Sequence, residues 1–177
     1  MSMTFTGGCL CGAIRYSIDY PNDKLPPSNL TTQNGTCQCT MCRKFTGSLL
    51  PQSLTVQRSW ITPDITTLPT FKTYLSSANG ERSFCSTCGS SLTFNYRRDD
   101  GEIEFYLGTL DEEVLAGKIV GEKTDENGPH FEREKALGSQ VGKAATHIFY
   151  ENAVPDVTDN LQGKKFWRDR ASGKPFE

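Results

Sequence analysis

Apolar and polar positions alternate in short runs along most of this chain, and glycine, proline or Asn-Gly pairs bound the runs. From Ala13 to Asp19, Ile14, Tyr16 and Ile18 stand against Ala13, Arg15, Ser17 and Asp19, the pattern of a half-buried strand. Leu49 to Val56, Phe71 to Leu75, Arg82 to Phe84 and Ser91 to Tyr96 also read as strands. In Glu102 to Leu107, the side chains of Ile103, Phe105 and Leu107 share one face. Asn79-Gly80 and Asp99-Asp100-Gly101 are turn signals that close hairpins. Thr31 to Cys37 predicts a short strand broken at Asn34-Gly35, and Thr146 to Tyr150 a last one. Helix is scarce: one turn over Met41 to Thr46 before Gly47, and a short helix over Asp111 to Ala116 capped by Asp111. Tyr20 to Asn29, with three prolines, reads as a polar loop, and Gly117 to Ala145 as a polar insertion or mobile loop. Beyond Pro155 the chain is charged, with Phe166 and Trp167 as apolar anchors. Eight or so short strands with almost no helix predict a mainly β fold. The expected division is a domain over residues 1–155 and a C-terminal tail over 156–177, packed on it or extending it.

At 177 residues the chain is long enough for one sound core. Its net charge is −2 with 23% charged residues, so no global field points to nucleic acid or an anionic membrane as partner. No apolar run approaches the roughly 20 residues of a membrane span. The start has neither the basic region nor the apolar core of a signal peptide. A soluble, cytoplasmic protein with reduced thiols is the expectation. In that compartment the sequons Asn29-Leu30-Thr31 and Asn34-Gly35-Thr36 carry no meaning.

The cysteines change the picture. Seven occur, in the groups Cys9-Leu10-Cys11, Cys37-Gln38-Cys39-Thr40-Met41-Cys42 and Cys85-Ser86-Thr87-Cys88. A disulfide framework would leave one thiol over and requires an oxidising compartment. Thiolates at this density instead suit a soft or borderline metal, zinc above all. Structural zinc usually takes four protein ligands and catalytic zinc three, so seven divide as four plus three, two zinc ions per chain. Spacing does not decide whether the triplet is open or is completed by His130, His147, an acidic side chain or a permanent water. Arg43 and Lys44 follow the triplet at once, either to balance thiolate charge and hold a substrate carboxylate or as solvated cations. Gln38 would donate a hydrogen bond to substrate or face the packing. His147 reads as a strand residue and His130 as an exposed one.

These blocks carry a family likeness. The chain resembles the glutathione-dependent formaldehyde-activating enzyme family, which also contains centromere protein V, through Gly8-Cys9-Leu10-Cys11-Gly12-Ala13-Ile14-Arg15-Tyr16 and Cys37 to Ser48. The likeness resumes at Phe84-Cys85-Ser86-Thr87-Cys88-Gly89-Ser90, at Gly108-Thr109-Leu110-Asp111 and at His147 to Glu151. The resemblance implies a β-tent fold. It also implies a structural zinc on Cys9, Cys11, Cys85 and Cys88, and a catalytic zinc on Cys37, Cys39 and Cys42. The family commonly has His where this chain has Gln38, and Trp where Asp156 follows Pro155; the loops Tyr20–Asn29 and Gly117–Ala145 also look longer.

The expected function is that of a zinc-dependent carbon–sulfur lyase acting on a glutathione–aldehyde adduct or a related small electrophile, with glutathione as co-substrate. Two alternatives stand beside it. One is a zinc-assisted lyase, isomerase or thiol-transfer step on a larger metabolite. The other is a non-catalytic, zinc-stabilised protein-interaction module, for which the slightly acidic balance and the absence of a basic arm argue poorly.

Overall fold

Strand β1 (Ser2–Gly8) pairs antiparallel with β2 (Arg15–Pro21) across the first cysteine pair. The computed structural model describes residues 2–24, 34–97, 101–168 and 175–176. As the alternation predicts, β2 buries Tyr16, Ile18 and Tyr20 and turns Arg15 and Asp19 outward. β1 went unread, because Phe5 is its one fully buried apolar side chain and Gly7-Gly8 ends the run.

Next come β3 (Asn34–Cys37), helix α1 (Thr40–Thr46), β4 (Gln52–Gln57) and β5 (Ile61–Thr62), which joins β2 to complete a three-stranded sheet. β6 (Phe71–Leu75), β7 (Gly80–Cys85), β8 (Ser91–Tyr96) and β9 (Glu102–Tyr106) form an antiparallel run. After helix α2 (Glu112–Leu115) come the hairpin β10 (Ile119–Asp125) and β11 (Gly128–Arg133), helix α3 (Gly138–Val141) and strands β12 (Thr146–Ile148), β13 (Lys164–Phe166) and β14 (Pro175–Phe176). The large sheet has nine strands in the order β14-β13-β12-β3-β4-β9-β8-β7-β6, with β12 parallel to both neighbours. The chain is mainly β, and two cysteine groups at its loops fit the β-tent description. Phe5, Ile18 and Tyr20 of the small sheet, with Ile14 just before β2, share one core with Leu54, Val56, Leu92 and Phe105 of the large one.

Several expectations need correction. Asn34-Gly35 is no turn; both residues lie in β3. Buried Asn34 donates from its amide to the carbonyls of Val141 and Lys143 and accepts from Gln52 at 2.8 Å, so long-range bonds override local turn preference. Residues 31–33 of that predicted strand, 25–29 of the polar loop and the turn residues Asp99 and Asp100 lie outside the described residues. Asp111 occupies the N-cap position of α2 without capping it, because Arg15 forks onto its carboxylate at 2.8 and 2.5 Å. Gly117 to Ala145 is no loop. It folds into the β10–β11 hairpin and α3, whose Val141 is fully buried. Most of the hairpin's side chains face solvent, so no hydrophobic period marks it in the sequence. Past Pro155, Phe166 is half-buried but Trp167 is 54% exposed, and Thr158 is the buried tie.

Candidate metal centres

Cys9, Cys11, Cys85 and Cys88 converge from two distant stretches, their Sγ atoms all within 4.8 Å of one another. The first two lie in the β1–β2 loop, Cys85 ends β7, and Cys88 lies in the turn into β8. Both loops turn through glycines in the left-handed region, Gly12 at φ 78° and Gly89 at φ 75°, where a Cβ would be strained. Cys9 and Cys11 sulfurs are 3.5 Å apart and those of Cys11 and Cys85 3.8 Å apart. Neighbouring sulfurs of tetrahedral zinc, with Zn–S near 2.3 Å, are about 3.8 Å apart, whereas a disulfide needs about 2.05 Å. All seven cysteines are free thiols. The Ile14 amide donates to Cys9 Sγ at 3.2 Å, and contacts with Ser90 push the Cys88 thiol down to about 5, toward the thiolate a metal requires. These four residues fit a closed site that ties the three-stranded sheet to the nine-stranded one.

The second group is local. Cys37 ends β3, Cys39 caps α1 by accepting from the Cys42 amide at 3.3 Å, and Cys42 sits in the first turn. Their sulfurs also lie within 4.8 Å of one another, and among the described residues no further Cys, His, Asp or Glu joins them. Hydrogen bonds from Cys37 and then Cys42 lower the Cys39 thiol, and the contact with Cys39 raises Cys37. His147 stands elsewhere: its Nε2 donates to the Gln162 carbonyl at 2.8 Å, and its Nδ1 accepts from the Thr36 hydroxyl at 2.7 Å. Both ring nitrogens are thus engaged. His130 lies on β11, exposed and 2.9 Å from Asp125.

Gln38 is fully buried, donating to the Thr158 carbonyl at 3.0 Å and accepting from its hydroxyl at 2.5 Å. Both ends of its amide are thus engaged, and the contact braces the triplet against the chain beyond Pro155. Arg43 is half-buried and Lys44 exposed in the last turn of α1.

The residue that sequence reasoning missed is Arg82. It reaches from β7, 3% exposed, and donates from Nη2 to Cys42 Sγ at 3.2 Å and from Nη1 to Ser76 Oγ. Its guanidinium stacks between Phe94 and Phe45, 4.9 and 5.9 Å from their centroids. Neither polar neighbour is a carboxylate, so the charge that stabilises this buried cation comes from the thiolates. A zinc ion with three thiolates carries −1, which one guanidinium balances. Arg82→Met is expected to weaken zinc at the triplet by about 10–100-fold in a chelator competition, the usual penalty for losing a partner of a ligand. Unchanged affinity would deny Arg82 that part.

A cleft of about 830 Å³ is lined by Cys9, Arg15 and Cys88, by Phe45 of α1 and by Tyr106 and Leu107; Cys37, Cys39 and Cys42 are not among its lining residues. Arg15, and neither Arg43 nor Lys44, is the cation on its wall. Among the described residues no helix is long and apolar enough to cross a membrane.

The family model for the glutathione-dependent formaldehyde-activating enzyme matches residues 4–123, a stretch that holds both cysteine groups. No curated protein matches. A crystal structure of a Rhodobacter sphaeroides protein is similar at 20% identity and a TM-score of 0.44, covering 62% of this chain and 88% of that one.

Proposed function

The chain belongs to the glutathione-dependent formaldehyde-activating enzyme family, and from that premise we propose that it is a zinc-dependent carbon–sulfur lyase acting on an adduct of a thiol, glutathione in the first instance, with formaldehyde or a similar small electrophile. The observation that carries this reading is the inequality of the two cysteine groups: four sulfurs in one and three in the other. The reading assigns Cys9, Cys11, Cys85 and Cys88 a structural zinc and Cys37, Cys39 and Cys42 a catalytic one. Zinc at the triplet supplies Lewis acidity and draws a thiol's pKa toward neutrality.

The chain's own residues do the rest. In the forward direction the thiol sulfur bonds to the aldehyde carbon, the carbonyl π pair moves to oxygen, and the sulfur's proton ends there. The reverse step cleaves the same bond. Arg82 holds the charge of the triplet steady while a thiolate forms or leaves. A tripeptide thiol fits a cleft of this size, and Arg15 on its wall, with Arg43 and Lys44 at the end of α1, offers cations to its carboxylates. We assign the domain to residues 1–155, with 156–177 extending it through β13 and β14.

Cobalt substitution tests the reading. Adding glutathione or 2-mercaptoethanol to the cobalt-loaded protein is expected to strengthen sulfur-to-metal charge-transfer bands at one of the two sites and leave the four-sulfur site silent. If Arg15 or the Arg43–Lys44 pair holds a carboxylate, replacing it by Ala should weaken glutathione at least about tenfold more than mercaptoethanol, from a charge-assisted hydrogen bond of about 1.5–3 kcal/mol. No response to any thiol would favour the interaction module.

A further inference from the structure

Among the described residues, four buried side-chain polar atoms lack a hydrogen-bond partner, and two of them, Arg82 Nε and the Tyr106 hydroxyl, belong to side chains beside the triplet. Tyr106 ends β9, and its ring packs on Phe45 of α1 with centroids 6.0 Å apart. Phe45 is three residues beyond Cys42 and carries the Arg82 guanidinium at 5.9 Å. Tyr106 also lines the cleft. A buried hydroxyl with no partner costs stability, and a phenylalanine would fill the same space without that cost. An acceptor supplied from outside the chain would remove that cost.

We propose that the Tyr106 hydroxyl is a catalytic hydrogen-bond donor that receives the oxygen of the substrate beside the Cys37–Cys39–Cys42 triplet. A phenol O–H donates, and an acceptor is what this hydroxyl lacks. The inference rests on the lyase reading and names the contact that reading lacks. As the carbon–sulfur bond forms, the carbonyl oxygen gains the π pair and then the proton given up by sulfur. Tyr106 donates to that oxygen throughout and ends with its own proton. When the bond breaks, the same donor holds the oxygen until the carbonyl leaves. A donor fixed in a dry site before the charge develops is worth more than one in water.

The test compares wild type with Tyr106→Phe, both loaded with metal. Tyr106→Phe is expected to keep its metal content and melting temperature, and to lower turnover of a thiol–formaldehyde adduct about 10–100-fold. The second measurement needs no turnover. Thioacetate carries an oxygen on the carbon next to sulfur, as the adduct does, and ethanethiol carries none. Tyr106→Phe is expected to weaken thioacetate about tenfold and leave ethanethiol unchanged. Equal effects on both thiols, or on neither, would overturn the proposal, as would loss of metal or of the fold, which would make the hydroxyl structural. If wild type turns over no adduct, the lyase reading fails, and the thioacetate contrast still decides whether Tyr106 receives an oxygen.

Discussion

Cys85→Ser is expected to cost the protein most of its stability. Cys85 is fully buried at the end of β7, and its group joins the β1–β2 loop to the β7–β8 turn, which belong to different sheets. Apparent binding free energies of structural zinc run to about 10–16 kcal/mol, comparable with or above the roughly 5–15 kcal/mol that holds a typical domain folded. Losing about 5 kcal/mol of it would lower the midpoint by about 10–20 °C, at about 2–4 °C per kcal/mol for a chain of this size. Circular dichroism melting of the variant, and of wild type stripped by a strong chelator, checks this. A midpoint within a few degrees of wild type would show that the four-sulfur group does not hold the sheets together.

Cys39→Ser is expected to do the opposite: remove metal and activity from the triplet while sparing the fold. The three sulfurs lie on one β3–α1 corner, so losing one disconnects no distant segments. The local cost is also offset, because Cys39 is the N-cap of α1, and serine is among the favoured caps, able to accept the Cys42 amide through its hydroxyl. Elemental analysis should fall from about two zinc ions per chain to one. Turnover should drop by at least about a hundredfold, as expected when a metal centre that supplies the electrophile is lost, with the melting temperature moving far less than in Cys85→Ser. Equal losses of stability in the two variants would remove the division between a structural and a catalytic site.

The contrast between these variants follows the line between what is local in the chain and what is not. Read alone, the sequence determined the mainly β class, the buried face of β2, the turn of α1 before Gly47, and the sulfur triplet with its two separate cysteine pairs. Those features live in periods and spacings of a few residues, which the backbone converts directly into faces and turns. Only the tertiary structure decided that Arg82 and Tyr106 stand at the triplet. They are 40 and 64 residues beyond Cys42 and arrive through the pairing of β7, β8, β9 and β4. An arginine in a strand reads as a solvated cation until register places it between two rings and a thiolate. The same reason governs Asn34, whose turn preference yields to bonds with Val141 and Lys143, and Asp111, drawn from its cap by Arg15. The β10–β11 hairpin escaped for the converse reason. Its strands pair through backbone hydrogen bonds while most of its side chains face water, so backbone pairing specified an element that hydrophobic periodicity did not encode.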